Sequence, residues 1–505
     1  MQFRLGGEGD MILKDILSVL PNELLNLIKG DSLEVDCLDI CLDSRDIVDG
    51  SLFVALKGHE SDGRNYIVDA VRNGANVVIY ELSDITEMQR EEVERAKVPC
   101  VGIADLADYV SALASQFFNH PSKNLQIYGI TGTNGKTSSA FILAQVFNHL
   151  GYQTAFMGTI GVGDPEQLQT TSHTTLDAIS MQRYLATLLE NEFTHVCVEV
   201  SSHALDQGRV SAVDFYAVLY TNLSQDHLDY HQTMAAYAAA KKILFTEFQP
   251  TLAVINKSDD FGAAVIEQTN AEFIVSYGDH VSGADVVIEE MIASKKGLTV
   301  SIITDSLDFD VQTQLIGMVN VPNVNLVVAT LLALGIEIHD IQSSMSHAIA
   351  APGRMELYSM QGKPMVVVDY AHTPDALKLA LKSCRMHCEG SLWVVFGCGG
   401  DRDKSKRAVM GSIAEQYADR VVVSNDNPRS EQPMSIINDI TEKMKGSPMI
   451  IEDRAKAVAY AIEQAIEDDV ILIAGKGHET GQTIGKETLP YSDRAWVKEC
   501  MEIAA

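Results

Sequence analysis

The chain has 505 residues, of which 46% are hydrophobic and 21% are charged. These proportions are typical of globular proteins and exclude a wholly disordered chain, and the length predicts about three or four domains. Lys and Arg total 38 against 69 Asp and Glu, so the formal net charge is −31. This balance disfavours non-specific nucleic-acid binding, which needs a positive surface. Phosphate ligands remain compatible with it, because a few backbone N–H groups and one lysine suffice to hold them.

The sequence predicts a cytoplasmic protein without membrane insertion. No apolar run approaches the roughly 18–20 residues needed to span a bilayer. The first ten residues lack the apolar segment of a secretory signal. The 8 cysteines are scattered, and no two pairs have zinc-finger spacing. Reduced cysteines are therefore expected.

Three units are expected along the chain, comprising residues 1–106, 107–351 and 352–505. Short apolar runs predict strands at residues 51–56, 76–80, 125–130, 195–200, 215–220, 251–255, 365–369, 392–396, 420–424 and 470–474. Helices are predicted at residues 66–73, 107–121, 137–150, 374–383, 408–418 and 455–466. Strands that alternate with helices are typical of βαβ units, in which ligands bind beyond the carboxyl ends of the strands. We expect an α/β protein with a small first domain, a central domain built on a mostly parallel P-loop-type sheet and a Rossmann-like third domain.

A phosphate-binding loop follows the strand predicted at residues 125–130. Residues 131–137 read TGTNGKT and open a predicted helix. Glycines let the backbone approach a phosphate, and the helix N-terminus offers free N–H groups and a partial positive charge. Lys136 is expected to meet the β- and γ-phosphates of a ligand, and Thr137 to ligate Mg²⁺. Ile130 stands where the strict P-loop pattern has Gly, so the match is to Gly-Lys-Thr between a strand and a helix.

This loop resembles the ATP loop of the Mur ligases, the ATP-dependent enzymes that form amide bonds in peptidoglycan synthesis. Other segments resemble motifs of the same family, in the same order and in all three units. They are residues 42–45 (LDSR), 199–203 (EVSSH), 226–231 (DHLDYH), 352–356 (PGRME), 369–375 (DYAHTPD), 399–404 (GGDRDK), 426–429 (DNPR) and 475–479 (GKGHE).

The resemblance implies an ATP-dependent ligase that acts on UDP-N-acetylmuramoyl-L-Ala-D-Glu. The γ-carboxylate of D-Glu would attack the γ-phosphate of ATP and form an acyl phosphate. The amine of meso-2,6-diaminopimelate would then displace phosphate and form the amide. This chemistry needs charged oxygens held in line rather than covalent help from the protein.

The resemblance also implies a catalytic group of Lys136, Glu199, His227 and Lys241. Glu199 is expected to ligate Mg²⁺ through a hard oxygen, and His227 matches the ligand of a second metal ion. Lys241, rather than the adjacent Lys242, matches a lysine that is carbamylated in the family. Addition of CO₂ converts such an amine into a carboxylate that can ligate Mg²⁺, so the expected metal set also includes this N6-carboxylysine and Thr137.

One alternative for the histidine-rich segment is a zinc site built from His227, Asp229 and His231. A structural or capping role for His227 is another alternative. Without the family resemblance, Lys241 and Lys242 read as a solvated surface pair.

The substrate contacts implied by the resemblance fall into three groups. ATP contacts are expected at Gly132, Thr133, Asn134, Gly135, Lys136, Thr137, Asn323 and Arg354. UDP-substrate contacts are expected at Leu42, Ser44, His59, Thr174, Thr175, Ser201, Gln207 and Arg209. Diaminopimelate contacts are expected at Arg402, Asp426, Asn427, Pro428, Arg429, Gly475 and Glu479. Glu60 and His173 depart from the family pattern, and an interdomain salt bridge is the alternative for Arg354.

Arg429 carries the specificity argument. Diaminopimelate has a distal carboxylate that lysine lacks, and the guanidinium fork of Arg matches a carboxylate bidentately. Lysine-adding relatives lack Arg in this motif. Glu479 suits the distal ammonium of the same amino acid.

Several rival functions remain open at this point. Within the ligases they are a lysine-adding homologue and a folylpolyglutamate synthetase, disfavoured by Arg429 and by the LDSR segment respectively. A P-loop phosphotransferase or switch explains residues 131–137 but leaves the DNPR and GKGHE segments without a purpose. A dinucleotide oxidoreductase would need a final Gly that GCGGDR at residues 397–402 lacks. A non-catalytic nucleotide-binding scaffold is the last rival. The expected partners are small-molecule substrates only, the cofactor is Mg²⁺, and the protein is expected to be a monomer.

Overall fold

The computed structural model describes residues 11–26, 33–58, 61–171 and 174–502. The strands in chain order are β1 (Met11–Ile12), β2 (Asp36–Cys37), β3 (Asp39–Cys41), β4 (Ser51–Ala55), β5 (Ala75–Glu81), β6 (Cys100–Ile103), β7 (Gln126–Thr131), β8 (Thr154–Gly158), β9 (Gly161–Gly163), β10 (His195–Glu199), β11 (Ala217–Tyr220), β12 (Leu252–Asn256), β13 (Phe273–Gly278), β14 (Val286–Ser294), β15 (Gly297–Thr304), β16 (Asp308–Thr313), β17 (Glu356–Tyr358), β18 (Met365–Asp369), β19 (Leu392–Phe396), β20 (Arg420–Val423), β21 (Met449–Ile450), β22 (Val470–Ala474), β23 (Gly481–Ile484) and β24 (Glu487–Pro490).

The α-helices in chain order are α1 (Leu13–Leu17), α2 (Asn22–Leu25), α3 (Ile67–Arg72), α4 (Glu87–Arg95), α5 (Val110–Phe117), α6 (Lys136–His149), α7 (Ala178–Glu190), α8 (Ser202–Asp206), α9 (Leu228–His231), α10 (Met234–Thr246), α11 (Asp260–Ile266), α12 (Val321–Ala333), α13 (Ile338–His347), α14 (Pro374–Arg385), α15 (Ser405–Tyr417), α16 (Pro433–Thr441), α17 (Arg454–Gln464) and α18 (Asp493–Met501). In the described part of the chain, no helix combines the length and the apolar character needed to cross a membrane.

The chain separates into two compact units. Among the described residues, the first comprises those within 11–133, 152–253 and 264–274, and the second comprises those within 134–151, 254–263 and 275–502.

The first unit contains two mostly parallel sheets, in one of which β9 pairs with β8 in the antiparallel sense. One has the strand order β3-β4-β5-β6, and all its neighbouring strands are parallel. In the other, β7 lies between β10 and β11, and β8 follows β10. The strands β7 and β10 are almost wholly buried, as expected for a parallel sheet with both faces covered. Arg183 on α7 ties the two parts together, because it pairs with Asp39 at 2.7 Å and donates to the carbonyl of Ile40 at 2.6 Å.

The second unit contains a six-stranded sheet of order β17-β18-β22-β19-β20-β21. The four central strands are parallel, and β17 pairs with β18 in the antiparallel sense. Apolar side chains on both faces of this sheet form separate buried clusters. The same unit contains an antiparallel ribbon, β14-β15-β16, and a short hairpin of β23 and β24.

The predicted α/β class and mostly parallel sheets are confirmed, and the predicted elements are found within a few residues of their expected bounds. The sequence prediction missed the ribbon at residues 286–313. Its first strand, β14, is half-exposed with an irregular burial pattern and a register shift between Ile288 and Glu290. Such a strand lacks the continuous apolar run by which the buried strands were recognised.

A buried ion pair lies beneath the carboxyl ends of the six-stranded sheet. Arg454 pairs with Asp493 at 2.7 Å, and the two side chains are 1% and 0% exposed. The same guanidinium donates to the carbonyls of Asn425 at 3.1 Å and Ala474 at 2.9 Å. These carbonyls directly precede Asp426 and Gly475, so the pair anchors two loops that contain expected substrate residues.

Arg454→Met is therefore expected to destabilise the second unit by about 3–5 kcal/mol, because it leaves the Asp493 carboxylate buried without its partner. Both tryptophans, Trp393 and Trp496, lie in this unit and report its urea unfolding by fluorescence. Lys456→Met, which removes an exposed cation next to Asp453, is the matched control and should cost less than about 1 kcal/mol. Equal losses for the two variants would contradict the role given to Arg454.

Candidate active site

Parallel pairing brings three strand ends of the first unit to one edge of a sheet. Glu199 at the end of β10 is in register with Ile130, and Tyr220 at the end of β11 is in register with Thr131. Ligands of parallel α/β sheets bind at this edge. The expected phosphate loop and the expected metal carboxylate therefore start from neighbouring positions.

The phosphate loop is shaped by a close approach of backbone to side chain. Gly132 has a φ of 147°, and a Cβ there would lie 1.8 Å from Oγ1 of Thr221. Only glycine fits this position. Thr133 next to it donates its N–H to the carbonyl of Asn222 at 2.7 Å, and its hydroxyl bonds to Tyr237 at 3.1 Å. The loop is thus held by groups from the segment after β11 and from α10.

Lys241 lies inside the first unit rather than on its surface. It is 1% exposed, whereas Lys242 is half-buried. Its Nζ donates to the carbonyl of Gly132 at 2.7 Å and lies 4.5 Å from the ring centroid of Tyr237. Burial raises the pKa of Tyr237 to about 12. The helix α10 thus brings this lysine directly to the phosphate loop, and the alternative of a solvated lysine pair is wrong.

Glu199 is held by a short chain of hydrogen bonds. It is 1% exposed, Oε1 accepts the N–H of Thr159 at 2.8 Å, and Oε2 accepts the Thr159 hydroxyl at 3.2 Å. That hydroxyl also lies 3.1 Å from the hydroxyl of Thr174. Thr175 donates to the backbone carbonyl of Glu199 at 2.8 Å. The expected metal carboxylate and the expected threonine pair therefore form one connected group.

Arg209 and Gln207 extend this group. The Arg209 guanidinium donates to Oε1 of Gln207 at 2.9 Å and to the carbonyl of Thr175 at 3.0 Å. Burial lowers the pKa of Arg209, an effect that Asp177 opposes. Ser201 donates its backbone N–H to the Thr175 hydroxyl at 3.0 Å. The structure thus places five of the expected UDP-substrate residues beside one another, in the loop after β9 and in the segment 201–209 after β10.

His227 lies in a cluster of aromatic rings. Its ring centroid is 4.9 Å from that of His203 and 6.0 Å from that of Tyr237. Burial lowers the pKa of His203, with further lowering by His227 and His231. His231 is itself buried and bonds to the Ser202 hydroxyl at 2.9 Å. Across residues 11–26, 33–58, 61–171 and 174–502, no three His, Cys, Asp or Glu side chains are grouped to hold a metal ion, so the zinc alternative finds no support.

The N-terminal part of the expected UDP-substrate site is only partly described. Leu42 and Ser44 follow β3 and are half-buried, and the carbonyl of Ser44 accepts the Asn73 amide at 2.8 Å. His59, Glu60 and His173 lie outside the described residues.

In the second unit, α6 begins at Lys136 directly after the loop. Gly135 precedes it with a φ of 85°, and Asn134 is exposed. Asn323 on α12 is buried, and its Oδ1 accepts the hydroxyl of Ser139 on α6 at 3.2 Å. The expected ATP residue Asn323 thus lies against the first turn of the helix that the loop opens.

Arg354 lies over an aromatic ring. Its guanidinium carbon is 4.4 Å from the ring centroid of Tyr370, which lies 5.2 Å from the ring of His478. Burial, followed by the charge of Arg354, lowers the pKa of His478 to about 4. Burial raises the pKa of Asp369, an effect that Arg354 and backbone N–H groups oppose. The motifs PGRME, DYAHTPD and GKGHE therefore meet at one place.

The DNPR and GKGHE loops form a second connected group at the ends of β20 and β22. Asn427 donates to Oε2 of Glu479 at 2.9 Å, and Lys476 donates to the same oxygen at 2.8 Å. Arg429, with a φ of 50°, donates from Nη1 to the carbonyl of Gly400 at 2.9 Å. Burial raises the pKa of Asp426, an effect that Arg454 and Lys476 oppose. Pro428 and Gly475 belong to the same loops, whereas Arg402 is exposed in the neighbouring GGDRDK segment.

Comparison with known proteins matches three consecutive parts of the chain to family models. These models are the Mur ligase family catalytic domain at residues 39–118, the Mur ligase middle domain at residues 130–331 and the Mur ligase glutamate ligase domain at residues 353–477. The chain belongs to the Mur ligase family. Its members are ATP-dependent ligases that form amide bonds in peptidoglycan precursor synthesis, so the phosphotransferase, oxidoreductase and scaffold alternatives are wrong.

Individual relatives agree with this assignment. A UDP-N-acetylmuramoyl-L-alanyl-D-glutamate–2,6-diaminopimelate ligase of Haemophilus influenzae (strain 86-028NP) is 43% identical over 91% of this chain and 95% of its own length. A solved structure of a ligase with the same name is 33% identical, covers 98% of this chain and 99% of its own, and has a TM-score of 0.70. A folylpolyglutamate synthase of Mycobacterium tuberculosis covers 72% of this chain and 92% of its own at 16% identity, with a TM-score of 0.57, which indicates a shared fold alone.

Sequence reasoning missed three residues that this Mur ligase places inside its expected sites. Thr159 holds Glu199, Tyr237 bonds to the phosphate loop, and Lys476 is buried beside Glu479. The GKGHE segment that contains Lys476 was recognised, and Tyr237 lies four residues before Lys241, but contacts across strand ends depend on register. A threonine two residues before a glycine, as at Thr159, carries no comparable signal in the sequence.

Gly158→Ala is expected to lower ligase turnover at least about tenfold, because a Cβ at this position would lie 2.1 Å from Oε1 of Glu199. Backbone in a buried strand cannot retreat easily, so the carboxylate has to move. Steady-state phosphate release from ATP measures the effect. Gly151→Ala is the control, because φ is 93° there and the Cβ meets nothing within 4 Å. It strains the backbone but leaves the site intact, and an equal loss in both variants would contradict the displacement of Glu199.

Proposed function

We propose that this chain joins meso-2,6-diaminopimelate to the D-Glu γ-carboxylate of UDP-N-acetylmuramoyl-L-Ala-D-Glu, with ATP converted to ADP and phosphate. The observation that carries the choice of amino acid is the group formed by Arg429, Asn427 and Glu479. Asn427 donates to Glu479 at 2.9 Å, and its carbonyl lies 3.5 Å from Nη1 of Arg429. A guanidinium and a carboxylate held by one residue match the carboxylate and the ammonium at the distal end of diaminopimelate. The similarity to ligases named for the same amino acid supports this choice.

In the proposed reaction, the phosphate loop and Lys136 hold the β- and γ-phosphates of ATP at the start of α6. Thr174, Thr175, Ser201, Gln207 and Arg209 hold the peptide part of the UDP-substrate, and Leu42, Ser44 and His59 hold its nucleotide. The D-Glu carboxylate attacks the γ-phosphate in line, and the amine then expels phosphate from the acyl phosphate. The protein contributes orientation and charge stabilisation rather than a covalent step.

The residues present fit Mg²⁺ on the condition that Lys241 is carbamylated. Glu199 offers a buried carboxylate and Thr137 a buried hydroxyl, both hard oxygen donors. His227 is the expected ligand of a second ion. Bound Mg²⁺ would neutralise phosphate charge. Lys241 as an ammonium repels a cation, so it fits this site only as the N6-carboxylysine that we propose, in which its charge is reversed.

We propose domain boundaries at residues 1–106, 107–351 and 352–505, close to the three family matches. Asn323 and Arg354 contact ATP in this account, and Arg402, Asp426, Pro428 and Gly475 complete the amino-acid site. The protein acts in the cytoplasm as a monomer on small-molecule substrates, without nucleic acid.

The function is tested by incubating the protein with UDP-N-acetylmuramoyl-L-Ala-D-Glu, ATP and either meso-diaminopimelate or L-lysine. A mass increase of the UDP-substrate by one diaminopimelate residue, with phosphate released, is expected. Arg429→Ala should lower kcat/KM for diaminopimelate by the equivalent of about 2–5 kcal/mol, because the distal carboxylate loses its charged, half-buried partner. Its effect on any reaction with lysine, which has no distal carboxylate, should be small.

The control for Arg429 is Arg420→Ala, which removes an exposed arginine at the start of β20. It should leave kcat/KM unchanged for both amino acids. A preference of the unmodified protein for lysine would contradict the proposed specificity. An equal loss for both amino acids in Arg429→Ala would contradict the role of Arg429.

Lys241→Ala should abolish turnover, and Lys242→Ala, its matched neighbour, should leave it largely intact. The carbamate is tested separately by removing dissolved CO₂. Turnover of the unmodified protein should fall and return on addition of bicarbonate, because the carbamate forms reversibly. Turnover that is insensitive to CO₂ would remove the carbamate from the account, whatever the result of Lys241→Ala.

A further inference from the structure

Lys476 is a charged side chain that none of the expected substrate contacts includes. It is 0% exposed and follows the end of β22. Its neighbours Gly475 and Gly477 have φ values of 120° and 53°. A Cβ on Gly477 would lie 2.7 Å from the carbonyl oxygen of Gly353. The backbone conformation on both sides of Lys476 favours glycine, and this turn directs the lysine side chain into the interior.

The ammonium of Lys476 joins the two loops of the amino-acid site. Its Nζ donates to Oδ1 of Asn427 at 2.9 Å and to Oε2 of Glu479 at 2.8 Å. Asn427 closes the triangle by donating from Nδ2 to the same Glu479 oxygen at 2.9 Å. Such charge-assisted bonds are shorter and stronger than neutral ones, so this cation is the centre of the group.

The short hairpin of β23 and β24 fixes the same asparagine from the other side. The backbone N–H of Thr483 donates to Oδ1 of Asn427 at 3.0 Å. Gln482 donates to the carbonyl of Asp426 at 2.7 Å, and Gly485 donates to the carbonyl of Arg429 at 2.7 Å. Two donors on Oδ1 leave the Asn427 amide only one orientation, with Nδ2 toward Glu479.

We propose that Lys476 is a positioning residue that sets the affinity for the amino-acid substrate by fixing the Asn427 amide and the Glu479 carboxylate together. This inference rests on the proposed function, since it takes these two residues as contacts of the incoming amino acid. Lys476 acts through them and is too buried to be a first contact of the substrate itself.

The contacts of Lys476 also indicate what loss of its ammonium would do. Without the ammonium, the Glu479 carboxylate and Asn427 Oδ1 lose a shared donor, and Asp426 loses one of the two cations that oppose its burial. Asn427 Oδ1 then retains the Thr483 N–H but loses its charged donor, so the amide is held less firmly and Glu479 is freer to leave its place. The amino acid would meet a loosened site, whereas the ATP residues of α6 and α12 would be untouched.

The test is the full steady-state kinetics of Lys476→Met in the intact protein. The KM for diaminopimelate should rise at least about tenfold, while kcat at saturation and the KM for ATP change less than about threefold. Lys456→Met, which breaks an exposed pair with the same three-residue spacing, is the control and should change none of them. A merely structural defect would lower kcat through loss of active protein and leave KM in place. An unchanged KM for diaminopimelate would overturn the proposal.

A double-mutant cycle with Glu479→Gln separates action through Glu479 from an independent effect. If Lys476 positions Glu479, the rise in KM in the double variant should stay well below the product of the two single rises. Rises that multiply would overturn the proposal.

Two further measurements keep the outcomes distinct. If Lys476→Met no longer shows an unfolding transition by tryptophan fluorescence, Lys476→Gln is measured instead. Glutamine keeps a hydrogen-bond donor without the charge, so the KM for diaminopimelate should again rise, by a smaller factor. The unmodified protein is assayed first with diaminopimelate and lysine. Failure to use diaminopimelate would remove the proposed function, and the KM of whichever amino acid it does use would still decide the role of Lys476.

Discussion

Parallel strand pairing is the constraint on which the expected sites of this Mur ligase depend. In the first unit it sets Glu199 beside the strand that opens the phosphate loop. In the second unit β18, β22, β19 and β20 end at one edge, so the segments after them lie together. Motifs that lie up to about a hundred residues apart in sequence thereby become neighbours in the fold. Strand pairing, and not any feature of the motifs themselves, brings them together.

Buried charge holds these strand ends in place. Arg454 with Asp493, Arg407 with Glu431 and Lys476 with Glu479 each place a fully buried cation beneath a loop of the second unit. Burying a cation costs free energy unless hydrogen bonds and an opposite charge compensate for it. Each pair therefore rigidifies the loops around it, and breaking a pair destabilises those loops. In the first unit Lys241 has the corresponding position beneath the phosphate loop, where it donates to Gly132. The positions of the site residues thus depend on buried residues beneath the expected substrate contacts.

Much of this could be predicted from the sequence, and the exceptions have physical causes. The buried strands were recognisable as apolar runs, and the glycines of the phosphate loop as a turn before a helix. The family motifs marked nearly every segment that the structure gathers at strand ends. The ribbon β14-β15-β16, whose first strand is half-exposed, gave no such signal, since the pairing of such a strand depends on its neighbours more than on its own sequence pattern. The contacts of Thr159 and Lys476 arise from register and from turns, which motif spacing does not encode.

The central claim is that the DNPR and GKGHE loops recognise the distal end of diaminopimelate. A crystal structure of the protein with bound meso-diaminopimelate tests it most directly. The account predicts the distal carboxylate within hydrogen-bond distance of the Arg429 guanidinium and the distal ammonium against Glu479, with Asn427 between them. A diaminopimelate whose distal carboxylate lies away from Arg429 would contradict it.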